Sequence, residues 1–128
     1  MIFDTDVLIW FFRGDPRAAE LIESCAERAV SVVSLLELYQ GARSRNEMRV
    51  LARFFPHQQF RMLPVTESIS HSAVTLMEEH ALGHGLQTAD ALIAATARET
   101  GSVLATGNVR HFRVIRRLEI KAFRPSGV

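Results

Sequence analysis

Five short apolar runs alternate with longer stretches of helical periodicity, and that alternation constrains the fold more than any other feature of the chain. Met1–Phe3, Ala29–Val33, Phe60–Pro64, Ser102–Ala105 and Glu119–Ala122 read as strands. Val7–Phe12, Arg17–Ala26, Leu35–Ala42, Glu47–Phe55, Glu67–Leu82 and Ala89–Glu99 read as helices. In the fifth helix, Ile69, Ala73, Leu76, Met77 and His80 share one face. Strands that alternate with helices pair in parallel through right-handed crossovers, giving an α/β sheet covered on both faces. The punctuation agrees. Asp15 can cap a helix that has Pro16 at its first position. Ser34 is placed to cap the helix carrying Glu37, with Ser34-x-x-Glu37 as a capping box. Gly83-His84-Gly85 and Gly101 end the last two helices.

A chain of 128 residues, 48% hydrophobic, suits one domain with a core that needs no staples. Cys25, the single cysteine, cannot form an internal disulfide and fits a reducing compartment. Asp4 and Asp6 break the first apolar run, so it does not read as a signal peptide. No run approaches the ~20 apolar residues of a membrane span. The expectation is a cytoplasmic protein without a membrane partner.

Three acids stand at the boundaries of apolar segments: Asp4, Glu37 and Asp90. Burying such acids is costly without compensation. In parallel α/β sheets, ligands lie beyond the carboxyl ends of the strands. Asp4 ends the first strand, Glu37 follows the second, Asn108 follows the fourth, and Asp90 opens the helix leading to the fourth. All four can therefore meet on one rim. Two carboxylates about 4 Å apart repel by roughly 4 kcal/mol at an effective dielectric near 20. Either one takes up a proton or a cation neutralises them. Oxygen donors suit magnesium or manganese, and such an ion can activate water beside a phosphodiester. Zinc fits less well, since the five histidines are scattered and make no ligand-spaced pair with the cysteine. Each acid also has a structural reading. Asp6 can cap the helix that starts at Val7, Glu37 can complete the box with Ser34, and Asp90 can belong to a cap after Thr88. Thr5 and Thr106 are supporting hydroxyls that can orient a carboxylate or water, or bond local backbone instead.

The net charge is only +1, yet the basic residues are uneven. Lys121 is the only lysine; every other basic residue is arginine, which suits bidentate contact with phosphate. Arg110, Arg113, Arg116 and Arg117, followed by Lys121 and Arg124, form a run interrupted by one acid, Glu119. The first four are candidate RNA contacts; a solvated basic face is the alternative.

The blocks Ile2–Ile9, Ser31–Leu38 with Gly41-Ala42, Thr88–Ala97 and Leu104–Phe112 together resemble the PIN-domain nucleases, specifically the VapC-type toxins of bacterial toxin–antitoxin pairs. The resemblance implies a PIN-like three-layer α/β/α sandwich with a five-stranded parallel sheet. It implies an Mg2+- or Mn2+-dependent endoribonuclease with Asp4, Glu37 and Asp90 at the metal and Asn108 at a fourth position that is often aspartate. Asp6 stands where the family often carries asparagine or serine, and is supporting here. The family also implies a homodimer and a VapB-type antitoxin that inserts a segment into the active-site groove. Trp10, Phe11, Phe12 and Leu38 are candidate apolar surfaces for such partners, with plain core packing as the alternative for each. Asp4-Thr5-Asp6-Val7-Leu8 resembles, too, the first motif of haloacid-dehalogenase-type phosphatases, but the lysine and late acidic pair of that family have no counterpart. A further alternative is a PIN-fold RNA-binding module that lost its chemistry, to which Asn108 gives some weight.

Overall fold

The computed structural model describes residues 1–127, and among these there are five strands and seven helices. The chain runs β1 (Ile2–Phe3), α1 (Thr5–Phe12), α2 (Pro16–Ser24), β2 (Arg28–Ser31), α3 (Val32–Gln40), α4 (Arg45–His57), β3 (Phe60–Leu63), α5 (Glu67–His84), α6 (Thr88–Glu99), β4 (Leu104–Thr106), α7 (Val109–Phe112) and β5 (Ile120–Ala122). All strand pairs are parallel, in the order β3-β2-β1-β4-β5.

The period of two sorts the strand residues into two cores. On one face, Ile2 and Leu104 pack with Leu63 against Leu76, Ile93 and Phe112 of α5, α6 and α7. On the other, Phe3 and Ala105 pack with Val30 against Leu8, Ile22, Leu51 and Phe55 of α1, α2 and α4. Helices on both faces of a parallel sheet give three layers, as expected from the alternation.

The strand order carries the main functional consequence. The chain starts in the centre at β1, moves outward through β2 and β3, then returns to the far side of β1 with β4 and β5. The order reverses between β1 and β4. At that point neighbouring connections leave in opposite directions, opening a crevice beyond the strand ends. Ile2 pairs with Leu104 and Phe3 with Ala105, so the residues that follow, Asp4 and Thr106, face each other across this crevice.

Local chemistry explains most element ends. Asp15 accepts from Ala18 N–H, with Pro16 at the start of α2. Thr66 caps α5, and Gly85 closes it in the left-handed conformation at φ 67°. The expected Ser34 cap is not what forms. β2 ends at Ser31, whose Oγ accepts from Val33 N–H at 3.1 Å, and Val32 and Val33 are helical. Their β-branched side chains suggest strand, but a pairing surface that ends at Ser31–Leu63 leaves them no ladder to join. Ser34 is thus buried inside α3, and the Ser34–Glu37 box does not exist. The four-residue α7 carries too short a pattern to be read from sequence.

Candidate active site

Asp4 is the residue where β1 turns into α1. Its backbone is extended (φ −65°, ψ 155°) and its Oδ1 accepts from Thr5 N–H at 2.8 Å, which makes it the cap of α1. Its Oδ2 accepts from the Thr106 hydroxyl at 2.6 Å, across the switch point. Thr106 Oγ1 in turn accepts from Asn108 N–H at 2.9 Å. Both oxygens of Asp4 are therefore oriented, and only 4% of the residue is exposed.

Asp6 stands in the first turn of α1, and Asp4, not Asp6, caps the helix. Its Oδ2 accepts from Gly107 N–H at 2.9 Å, while its Oδ1 is buried with no hydrogen-bond partner. A buried carboxylate oxygen left unpaired is costly and calls for an explanation. Gly107 lets the Asp6 carboxylate approach the backbone closely. A Cβ at this position would lie 2.6 Å from Asp6 Oδ2. We expect Gly107→Ala to push the Asp6 carboxylate aside and weaken stabilisation by divalent cations; a cation-induced melting shift equal to that of the wild type would refute this role.

Burial pushes the Asp4 carboxyl up to about 7, aided by the charges of Asp6 and Asp90 and opposed by the bonds from Thr106 and Thr5. Burial also raises Asp6, against the bond from Gly107, with the charge of Asp90 adding to it. Three acids thus feel each other's charge at one rim: Asp4, Asp6 and Asp90.

Asp90 lies in the first turn of α6. The Gln87 N–H donates to its Oδ2 at 3.4 Å, so the capping reading of Asp90 holds alongside its place in the cluster. His111 Nδ1 approaches the same Oδ2 to 3.9 Å. Glu37 joins through Thr5. The Thr5 hydroxyl donates to Glu37 Oε1 at 2.6 Å and lies 2.9 Å from the Ser34 hydroxyl. Both α3 residues reach Thr5 because positions three apart share a helix face.

Asn108 is exposed and precedes α7; its backbone, not its amide, is tied to the cluster through Thr106. Arg110, Arg113, Arg116 and Arg117 are exposed after it. Leu38, for which the sequence leaves both a partner surface and core packing open, is 9% exposed and packs in the core beside Leu51, because α4 covers that side of α3. Phe12 is exposed, while Trp10 and Phe11 are half-buried.

The structure brings Asp6, which the sequence reading leaves outside the core set, and Ser34, Gly107 and His111, which it does not place at the site, into contact with the same cluster. The i, i+3 relation of Ser34 to Glu37 is visible in the sequence but reads there as a cap. Nothing local marks Gly107 or His111, whose partners Asp6 and Asp90 are distant or on another element.

The donor set suits a hard cation: several carboxylates, mutual repulsion and one unpaired buried oxygen. Among the described residues, no three acidic, histidine or cysteine side chains converge closely enough to enclose an ion by themselves.

An all-parallel sheet with paired acids at its switch point defines an α/β protein built to gather charge at one crevice. The chain belongs to the PIN domain family, whose model matches residues 1–118. It is 36% identical over 126 residues to "Ribonuclease VapC10" of Mycobacterium tuberculosis, covering 93% of this chain and 90% of that protein. It is also 36% identical over 116 residues to "Ribonuclease VapC19" of the same organism, covering 87% and 90%. Among solved structures, a toxin–antitoxin complex from Klebsiella pneumoniae superposes with a TM-score of 0.75 at 27% identity, covering 91% of this chain and 93% of that one. VapBC2 from Rickettsia felis, bound to a DNA fragment from its promoter, superposes with a TM-score of 0.82 over 97% of this chain and 100% of that one; at 19% identity it shows the shared fold. No helix among the described residues is long and apolar enough to cross a membrane.

Proposed function

We propose that this chain is a divalent-metal-dependent endoribonuclease that acts as the toxin of a toxin–antitoxin pair. The observation that carries the reading is the pairing of buried Asp4 with half-buried Asp6 at the β1/β4 switch point, with the Asp4 carboxyl pushed up to about 7 and a buried Asp6 oxygen without a partner. The relatives named ribonuclease, alike over nearly the whole chain, support the same class.

Asp4, Glu37 and Asp90 would hold magnesium or manganese, with Asp6 Oδ1 as a further donor and water completing the set. When bound, such an ion supplies Lewis acidity toward water and the phosphate oxygens. The protein's own part is orientation. Thr5 N–H and the Thr106 hydroxyl fix the two oxygens of Asp4, and Thr5 holds Glu37 toward the same rim. Asn108 is placed to orient water or phosphate beside them. Arg110, Arg113, Arg116 and Arg117 would contact the RNA backbone, which predicts binding that weakens as salt rises.

The cognate antitoxin would cover the groove between α1, α3 and α4, a space of about 600 Å³ where Ile9, Phe12 and Val50 are exposed beside Leu38. A charge within it, Val50→Glu, should disrupt co-purification with the antitoxin yet leave RNA cleavage intact. Undiminished co-purification would move the contact elsewhere.

The deciding experiment is RNA cleavage by partner-free protein with manganese, with EDTA, and with Asp90→Asn. Metal-dependent cutting lost in the variant supports the reading. Absence of cutting by folded wild-type protein on total RNA of its own source would favour a binding module, and a variant that cuts fully would remove Asp90 from the site.

A further inference from the structure

A second cleft adjoins the acidic cluster. It encloses about 510 Å³, and Asp6, Trp10, Gly107, Asn108, Arg124 and Pro125 contribute to its walls. That volume falls within the roughly 300–1,000 Å³ of small-ligand sites. Asp6 is common to the cluster and the cleft, so an occupant of the cleft sits directly beside the reacting centre.

Part of its wall is a strap held at two points. Phe123 N–H donates to Thr106 O at 2.9 Å, and the Phe123 side chain is buried. Ser126 N–H donates to Asp15 Oδ1 at 2.8 Å. Arg124 and Pro125 lie between these anchors, so their backbone is pinned while the Arg124 side chain is exposed. Arg124 takes part in no ion pair among the described residues. Trp10 also lines the cleft, half-buried against the core around α1, with the Arg13 guanidinium 5.4 Å from its ring centroid.

We propose that this cleft is a subsite for the nucleotide next to the cleaved phosphodiester, with its base against Trp10 and a phosphate against Arg124. The inference rests on the ribonuclease reading and adds where the substrate lies. The physical case is the pairing of an aromatic surface with an unengaged cation, the combination that holds single-stranded nucleic acid without regard to sequence. A free inorganic anion would use Arg124 and leave the tryptophan idle, and Asp6 would repel it. A nucleotide uses both groups: its neutral base rests on Trp10 without repulsion from Asp6, and its phosphate is offset by Arg124. The candidate arginines from Arg110 to Arg117 would then serve the backbone farther along the strand.

Trp10 is the only tryptophan, so its emission reports on this cleft alone. The experiment titrates a short single-stranded RNA into the Asp90→Asn protein with magnesium, reading tryptophan emission and the anisotropy of a labelled copy of the same RNA. We expect saturable quenching with the same midpoint as the anisotropy change. Trp10→Leu, which keeps apolar bulk, and Arg124→Gln should each weaken RNA binding roughly 10-fold. In the active protein, Arg124→Gln should raise KM more than it lowers kcat. RNA that binds by anisotropy while emission stays unchanged and Arg124→Gln binds as tightly as its parent would overturn the subsite and leave the ribonuclease reading standing. A wild type that neither binds nor cuts RNA would remove both. Since Arg124 is an exposed side chain, its variant decides the matter even if Trp10→Leu folds poorly.

Discussion

Asp4→Asn should lower RNA cleavage by at least roughly 100-fold, because even groups that only orient a metal ligand are worth about 10- to 100-fold. The substitution is nearly isosteric, and one side-chain oxygen remains to accept from Thr5 N–H, so α1 keeps its cap. What changes is charge and polarity. The amide cannot neutralise a cation, and its NH2 meets the Thr106 hydroxyl where a carboxylate oxygen accepted. Circular dichroism and melting should show a folded protein, and single-turnover cleavage should show the loss. A variant that cuts at the wild-type rate would take Asp4 out of the reaction and with it the proposal that the switch point is the reacting centre.

The second large effect is an unusual dependence of stability on pH. The Asp4 carboxyl is pushed up to about 7 in the folded chain against 3.8 when unperturbed. Below the lower value both states carry the proton. Between the two, the folded state keeps it and the unfolded chain has lost it, so folding takes up a proton and stability falls as pH rises. Above about 7 the contribution is flat, with the cost of the buried charge fully expressed. Metal-free protein should therefore lose up to a few kcal/mol between about pH 4 and pH 7 relative to Asp4→Asn, which lacks the titration. A divalent cation favours the ionised folded state, so its stabilising effect should be small near pH 5 and grow toward pH 8. Melting curves with EDTA and with magnesium across that range test both halves. A wild type that tracks Asp4→Asn throughout, or a cation effect independent of pH, would contradict the coupling.

The same cluster shows why some site residues are legible in the sequence and others are not. Asp4, Glu37 and Asp90 each interrupt an apolar pattern, which makes each conspicuous in the sequence as an acid that would be costly to bury. The structure buries Asp4, half-buries Asp90 and leaves Glu37 exposed, so the burial argument holds in full for Asp4 alone of the three. Thr5 and Thr106 follow as hydroxyls at strand ends, and both bond acids of the cluster. Asp6 looks like a helix cap because its neighbours are helical. Only its contact with Gly107, 101 residues away, places it in the crevice. Ser34 misleads for a related reason. The rules for caps are local, and where β2 stops is set by how far β3 runs beside it.

By itself the sequence determined the class of fold, the two faces of the sheet and the one buried acid of the cluster, Asp4, costly enough to need compensation. These follow from periodicity and burial, which act within one element. Tertiary structure decided the order of the strands, and through it the reversal between β1 and β4 that brings Asp4 and Asp6 against Thr106 and Gly107. Parallel strands far apart in the chain look alike in sequence, and only their pairing says which ends meet. The strap that brings Arg124 into the same cleft as Trp10 depends in the same way on a bond from Ser126 to Asp15, a contact between residues 111 positions apart that no local pattern encodes.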